Sequence, residues 1–172
     1  IQLRLMKIKI IDNFIEDSKV FNDLKNLLTS NQFPQYYVKD TGYPGDDSDF
    51  LFCHILYYEG KQTSDYFNRV AMPLLGRMKF NYLDRIKVNL YTKKHKTIPT
   101  AMHTDMNNIP HTVGIYSVNT NNGYTLFEDG QKVESIENRL AIFDGSMKHC
   151  SVSQTDTNIR VNINMNFTNQ LL

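Results

Sequence analysis

A chain of 172 residues, 41% hydrophobic and 22% charged, is long enough for one domain with a substantial core. Its formal net charge of +1 gives no electrostatic reason to expect nucleic acid or an anionic membrane as a partner, and no apolar run approaches the roughly 20 residues that span a bilayer. Because Cys53 and Cys150 are too few for a disulfide framework, we expect a cytoplasmic protein.

The first forty-nine residues predict a strand, a helix and a loop. Residues 6–11 alternate Lys and Ile as a half-buried strand does. Asp17 or Ser18 can cap a helix that ends near Ser30. The loop prediction covers residues 40–49, which are rich in Gly, Pro and Asp. The apolar positions of the helix are Val20, Phe21, Leu24, Leu27 and Leu28.

The next segment predicts one more strand and one more helix. The aromatic run at residues 50–58 is typical of a buried strand, although a helical segment fits it as well. A second helix is expected from about Ser64, and Pro73 inside it predicts a kink or a break into two pieces.

From Ile86 onward, short strand-like runs alternate with turn residues. Helices first and many short strands afterwards predict an α+β, mainly β fold with an antiparallel sandwich or barrel as its body. We expect a single domain over residues 1–172, with helical support at about 6–80 and a β core at about 84–168. The predicted strands are residues 86–91, 101–103, 112–118, 124–127, 139–143 and 160–167.

Two histidines and an aspartate suggest a metal site. Residues i and i+2 of a strand face the same way, so His103 and Asp105 can converge on one point, and His149 from another strand would complete the set. Two imidazoles and one carboxylate are the ligands of non-haem Fe(II) oxygenases, although zinc also binds such a triad. The His-x-Asp pattern is weak by itself and gains weight only from its context.

The last strand supplies much of that context. It begins with Arg160, after which Asn162, Asn164 and Asn166 alternate with apolar residues. A polar face of this kind lines a wet cavity or faces solvent. Since arginine is always charged and binds carboxylates through two hydrogen bonds, Arg160 can hold the far carboxylate of a dicarboxylic acid.

The order and spacing of these residues resemble the 2-oxoglutarate/Fe(II) dioxygenase superfamily, in particular the branch typified by prolyl 4-hydroxylases. Three segments between the ligands carry the resemblance further: residues 115–119 resemble the family's Y-x-L-N strand, residues 123–127 its G-G-x-L-x-F segment, and residues 138–143 its N-R-L-x-x-F strand. The resemblance is strong over residues 86–167 and looser over 6–80.

The resemblance implies a double-stranded β-helix, a jelly-roll or cupin-like core with the amino-terminal helices packed on one sheet. It also implies Fe(II), 2-oxoglutarate and O2, with ascorbate as a stimulant. The expected reaction hydroxylates a C–H bond of a peptidyl or free amino acid and releases succinate and CO2. His103, Asp105 and His149 would bind the metal, and no catalytic residue is expected beyond them.

Further site residues are expected around the metal. The set that would contact 2-oxoglutarate is Arg160, Tyr91, Asn162, Ser117 and Tyr116, of which Tyr91 and the choice between Ser117 and Tyr116 rest on the resemblance. The set that would contact substrate is His111, Asn164 and Tyr43. Two alternatives remain open: a cupin-like metalloenzyme that does not use 2-oxoglutarate, and a non-catalytic binding module on the same fold.

Overall fold

The strands form two antiparallel β-sheets that pack face to face in the computed structural model, which describes residues 7–45, 49–107 and 109–168. The small sheet has the order β10 (His149–Val152), β7 (Tyr124–Phe127) and β8 (Lys132–Glu134). The large sheet has the order β1 (Lys9–Ile11), β9 (Arg139–Asp144), β6 (Thr112–Ser117), β11 (Ile159–Thr168), β5 (Tyr82–Thr92), β3 (Leu51–Tyr58) and β2 (Tyr36–Val38), with β4 (Lys61–Gln62) beside β3.

The helices cover the outer face of the large sheet, as predicted. They are α1 (Ser18–Leu28), α2 (Phe67–Val70) and α3 (Met72–Leu75). The Asp17 carboxylate caps α1 by accepting from the backbone N–H groups of Lys19 and Val20 at 2.9 and 3.1 Å. Val20 was wrongly placed on the apolar face, since its side chain is exposed while the other four predicted positions are buried.

The second helical segment breaks at Ala71, and Pro73 lies in the first turn of α3. A proline is tolerated there because the first N–H groups of a helix have no partner within it. The predicted break into two pieces is therefore confirmed.

The strand predictions are correct for most of the core. The run at residues 50–58 is the strand β3, so the helical alternative is wrong, and β5 extends well before Ile86. The strand predicted at 101–103 is absent; only an isolated bridge joins His103 to His149. The strands β2, β4 and β8 were not predicted, and β10 was expected only as a strand of unspecified bounds that carries His149. Met6 and residues 46–48 lie outside the described residues, and the described part of 40–49 is a loop.

The central strand β11 is buried on both faces. Its apolar side chains, Val161, Ile163, Met165 and Phe167, join the core under the helices. Its polar side chains, Arg160, Asn162, Asn164 and Asn166, point instead into the space between the two sheets, and none is more than 6% exposed. The polar face therefore lines the interior rather than the protein surface.

Asn138 joins the amino-terminal segment to the core. Its Oδ1 accepts from the Ile15 N–H at 2.8 Å and the Tyr116 hydroxyl at 2.9 Å, while its Nδ2 donates to the Ile15 carbonyl at 2.9 Å. Its backbone is left-handed, with φ 59°. Asparagine tolerates this conformation better than most residues.

We expect Asn138→Ala to lower the free energy of unfolding by roughly 3 kcal/mol, because it leaves buried donors and an acceptor unpaired and places alanine in a left-handed conformation. The matched variant Tyr116→Phe removes a single bond and should cost about 1 kcal/mol. Urea denaturation of both variants measures the difference. Equal losses would show that the Asn138 bonds to Ile15 contribute nothing.

Within the described residues, we find no helix that is both long and apolar enough to cross a lipid bilayer.

Candidate metal centre

The two histidines and the aspartate meet at one point between the sheets. Asp105 Oδ1 lies 3.7 Å from His103 Nε2 and 3.9 Å from His149 Nε2, and the three ligand atoms all lie within 4.8 Å of one another. His149 begins β10 in the small sheet, and the isolated bridge holds His103 beside it through two backbone hydrogen bonds of 2.9 and 3.0 Å. One ion can therefore reach all three side chains.

The backbone determines which nitrogen of each imidazole is free. His103 Nδ1 lies 3.0 Å from the Ala101 carbonyl, and His149 Nδ1 lies 3.1 Å from the Met147 carbonyl. Because a carbonyl only accepts, each Nδ1 must carry a proton, so in the neutral imidazole the lone pair lies on Nε2. Hydrogen bonds of this kind orient metal-binding imidazoles.

The charge states also suit a metal. Burial would raise the pKa of Asp105, but contact with His103 and the electrostatic influence of Lys87, His149 and Arg85, of which His149 contributes only while it is protonated, outweigh it and hold that pKa well below its usual range. Burial lowers the pKa of His149, although Asp105 opposes this. The site thus presents an ionised carboxylate and a neutral imidazole, which are the forms that bind metals.

Asp105 is hydrogen-bonded to side chains of the large sheet. Its Oδ2 accepts from Asn164 Nδ2 at 3.0 Å and from Asn166 Nδ2 at 2.8 Å, and Arg85 Nη2 lies 3.6 Å from Oδ1. The side chain is only 2% exposed, so these contacts are shielded from water. Asn164, expected to contact substrate, contacts the metal-binding carboxylate instead.

A narrow cavity runs from His149 along the polar faces of β5 and β11. Arg160 lies at its far end, where Nη1 donates to Ser151 Oγ at 2.7 Å and to the Val152 carbonyl at 3.0 Å, and the guanidinium lies over the Tyr91 ring at 5.3 Å. The lining residues are Lys87, Asn89, Tyr91, Ile115, Thr125, His149, Cys150, Ser151, Arg160, Asn162 and Asn164.

Several polar atoms along this cavity are buried without a partner among the described residues: Arg160 Nε, Asn89 Oδ1 and Asn164 Oδ1. An unpaired buried donor is costly, and on arginine it points to an anionic ligand. Burial lowers the pKa of Arg160, while Tyr91 and Cys150 oppose this, and arginine stays charged in proteins. Lys87 adds a second cation between Arg160 and the triad. The residues present therefore fit a metal at one end and a dicarboxylate beside it.

A wider groove of about 420 Å³ opens on the other side of Asp105. It is large enough for an amino-acid side chain to approach the metal centre. Its lining residues are Tyr58, Glu59, Tyr82, Asp84, Arg85, Asp105, Met106, Asn107 and Ile109.

Ser117 and Tyr116 are separated by the alternation of β6. Ser117 pairs with Asn162 and shares the inner face of the sheet with Ile115, which lines the cavity. Tyr116 faces the core under the helices, where its hydroxyl donates to Asn138. The prediction that Tyr116 contacts the cosubstrate is therefore wrong. Asn162, in contrast, lines the cavity, where its Oδ1 accepts a hydrogen bond from Asn89 Nδ2 at 3.0 Å.

His111 and Tyr43 line neither the cavity nor the groove. The His111 ring packs on Gly145, where an added Cβ would lie 2.2 Å from Nε2, and its Nδ1 lies 2.7 Å from the Ile109 carbonyl. Tyr43 is exposed in its loop. The structure gives neither residue a contact with the site.

Arg85, Lys87 and Asn166 are among the site residues that were not recognised from the sequence. The first two lie with Asn89 and Tyr91 on one face of β5. The alternation of these four polar residues with apolar ones was the available signal, and it is the same signal that identified β11.

No protein-family model matches the sequence, and no match is found among curated proteins. The fold, in contrast, is similar to solved structures along almost its whole length. An oxidoreductase of the 2OG-Fe(II) oxygenase family from Burkholderia pseudomallei aligns with TM-score 0.64 and 9% identity over 94% of this chain and 84% of that chain.

Two other solved structures differ in their reactions. A prolyl hydroxylase from Trichoplax adhaerens, in complex with a peptide fragment of the hypoxia inducible factor oxygen degradation domain, aligns with TM-score 0.63 and 13% identity over 97% and 86% of the two chains. The non-heme alpha ketoglutarate dependent epimerase SnoN of nogalamycin biosynthesis aligns with TM-score 0.61 and 14% identity over 95% and 78%. The chain thus has the double-stranded β-helix fold of these enzymes and carries an intact His-Asp-His triad.

Proposed function

We propose that this protein is an Fe(II)- and 2-oxoglutarate-dependent dioxygenase that hydroxylates a C–H bond of a peptidyl or free amino acid, with proline as the leading candidate. The observation that carries the proposal is one cavity that is lined by His149 of the His-Asp-His cluster and by a buried arginine with an unpaired N–H. A cupin-like metalloenzyme that does not use 2-oxoglutarate has no need of that arginine.

The reaction transfers one atom of O2 to the substrate and the other to 2-oxoglutarate, which becomes succinate as it loses CO2. O2 is the oxidant, and a bound iron would supply the means of activating it, with 2-oxoglutarate and the substrate as the reductants. His103, Asp105 and His149 would hold the iron through two Nε2 atoms and Oδ1, and a set of three protein ligands would leave room for 2-oxoglutarate and O2 to bind the same ion. The protein's own part is to orient both substrates and to exclude water.

Arg160 would hold the distal carboxylate of 2-oxoglutarate. Its Nη1 is committed to Ser151 and Val152, so the edge of the guanidinium that carries Nε remains for the ligand. The Tyr91 ring packs on the guanidinium face and limits its movement. A planar cation held in this way can bind a carboxylate through two parallel hydrogen bonds.

Lys87 would add positive charge nearer the metal. Its ammonium has no hydrogen bond or salt bridge to the described residues, although it lies in the field of Asp105. Burial and Arg85 lower the pKa of Lys87, whereas Asp105 and Cys53 act in the opposite direction. A bound dianion would favour the charged form.

We expect Lys87→Met to raise the KM for 2-oxoglutarate about tenfold, or roughly 1.4 kcal/mol, because the variant keeps the length of the side chain but loses its charge. Steady-state kinetics at varied 2-oxoglutarate measures this effect. Lys9→Met, at an exposed position of β1, is the matched control and should leave the KM unchanged. An unchanged KM in Lys87→Met would exclude Lys87 from cosubstrate binding.

The substrate would enter through the groove beside Asp105. A peptidyl or amino-acid substrate is supported by the size of the groove and by the similarity to a prolyl hydroxylase solved with a peptide. The exposed rings of Tyr58 and Tyr82 at its edge would contact apolar parts of the substrate.

The proposal is tested by incubating the protein with Fe(II), 2-oxoglutarate and a panel of proline-containing peptides and free amino acids. The expected result is a substrate mass gain of one oxygen that requires both additions and matches the succinate formed. A mass gain without 2-oxoglutarate would favour the cupin-like alternative. Tight binding of a panel member without any turnover would favour a binding module.

A further inference from the structure

The two oxygens of the Asp105 carboxylate have different surroundings. Oδ1 faces His103 Nε2 and His149 Nε2. Oδ2 faces the sheet and accepts hydrogen bonds from the side-chain amides of Asn164 and Asn166. Each carboxylate oxygen accepts about two hydrogen bonds in its plane, so Oδ2 is saturated by these two donors.

The orientation of the Asn166 amide follows from its other neighbour. Arg85 Nε donates to Asn166 Oδ1 at 2.9 Å. Because arginine has no acceptor, the oxygen of the amide must face Arg85 and its nitrogen must face Asp105. Arg85 thereby fixes the amide in the donating orientation.

The two amides lie in regular structure, whereas the aspartate that they contact does not. Asn164 and Asn166 occupy alternate positions of β11, which is hydrogen-bonded to β5 and β6 on its two sides, and both are buried. Asp105 lies outside the strands, in a bend two residues after the isolated bridge. An irregular segment therefore depends on the sheet to place its ligand.

We propose that Asn164 and Asn166, with Arg85 behind Asn166, act as positioning residues that keep Asp105 a monodentate metal ligand. This inference rests on the proposed function. Carboxylates bind metals through one or both oxygens. Here the amides bind Oδ2, so they would keep it from taking a coordination position on a bound metal that 2-oxoglutarate or O2 needs. We call Asn164, Asn166 and Arg85 the Asp105 cradle. The cradle thus acts on cosubstrate binding as well as on metal affinity.

The test measures Co(II) binding by the wild-type protein and by Asn164→Leu and Asn166→Leu, followed by 2-oxoglutarate binding to each protein saturated with Co(II). We expect the Co(II) affinity of both variants to fall 10- to 100-fold. At saturating Co(II), the affinity for 2-oxoglutarate should fall a further five- to tenfold, roughly, because Oδ2 then competes for a coordination position. The Co(II) absorption spectrum should change accordingly.

Asn162→Leu is the matched control for metal binding. It changes the same residue type on the same buried face, but Asn162 does not contact Asp105 and pairs with Asn89 instead. Its Co(II) affinity should stay within about twofold of wild type. Thermal unfolding of each metal-free variant, and the smaller replacements Asn164→Ser and Asn166→Ser, separate a loss of folding from a loss of positioning.

If both Leu variants fold and bind Co(II) as tightly as the wild type does, the proposed positioning role of Asn164 and Asn166 is wrong. A lower Co(II) affinity with unchanged 2-oxoglutarate affinity at saturating metal would overturn monodentate control and leave only a packing role. Failure of the proposed function gives a different result, because it would show in the wild-type protein itself: that protein would bind Co(II) no better than His103→Ala, or would bind Co(II) and then fail to bind 2-oxoglutarate.

Discussion

Asp105→Ala is expected to abolish turnover and to lower Fe(II) affinity more than 100-fold. Even the loss of groups behind a metal ligand costs about 10- to 100-fold, and this variant removes a ligand itself. It also removes the shared acceptor of Asn164 and Asn166 and the anion beside Arg85. Anaerobic titration with Fe(II) and assays of succinate release measure the two effects.

Asp23→Ala is the matched control for that experiment. Asp23 lies on the exposed face of α1 in an ion pair with Lys19, and such pairs contribute little. Its Fe(II) affinity and turnover should equal those of the wild type. Turnover within tenfold of wild type in Asp105→Ala would exclude Asp105 as a metal ligand.

Arg160→Ala should raise the KM for 2-oxoglutarate at least about 100-fold, or roughly 2.7 kcal/mol, because it removes a buried cation that would bind the carboxylate through two hydrogen bonds. Co(II) affinity should change little, since Arg160 contacts Ser151, Val152 and Tyr91 rather than a metal ligand. Arg160→Lys should recover part of the affinity by restoring the charge without the planar fork.

The control for Arg160 is Arg69→Ala, which removes an exposed arginine from α2. Its KM should equal that of the wild type. If Arg160→Ala binds 2-oxoglutarate as the wild type does, the far end of the cavity is not a carboxylate site, and the cupin-like alternative gains support.

The fold class followed from patterns that are local in the sequence. The alternation in β11, the cap at Asp17 and the break at Pro73 are each decided by residues near in the chain, and each agrees with the structure. Short strands such as β8 and β10 depend on their partners, so no local pattern marks them. The bridge at His103 likewise exists only because His149 lies opposite.

The three residues that cluster at the candidate metal centre were predictable from the sequence, whereas the residues around them were less so. His103, Asp105 and His149 could be named from spacing and resemblance, whereas the choice between Ser117 and Tyr116 depends on register. Pairing of Ser117 with Asn162 turns Tyr116 to the opposite face. The contact between Arg85 and Asn166 joins residues 81 positions apart, and no pattern in the sequence predicts it.

Succinate formation from 2-oxoglutarate with Fe(II) and O2, compared between the wild-type protein and His103→Ala, tests the proposed oxygenase activity directly. We expect iron-dependent succinate from the wild type, at a low rate alone and a higher rate with a suitable peptide or amino acid, and none from the variant. Equal succinate from the two proteins across the substrate panel would contradict the assignment of a metal- and 2-oxoglutarate-dependent oxygenase.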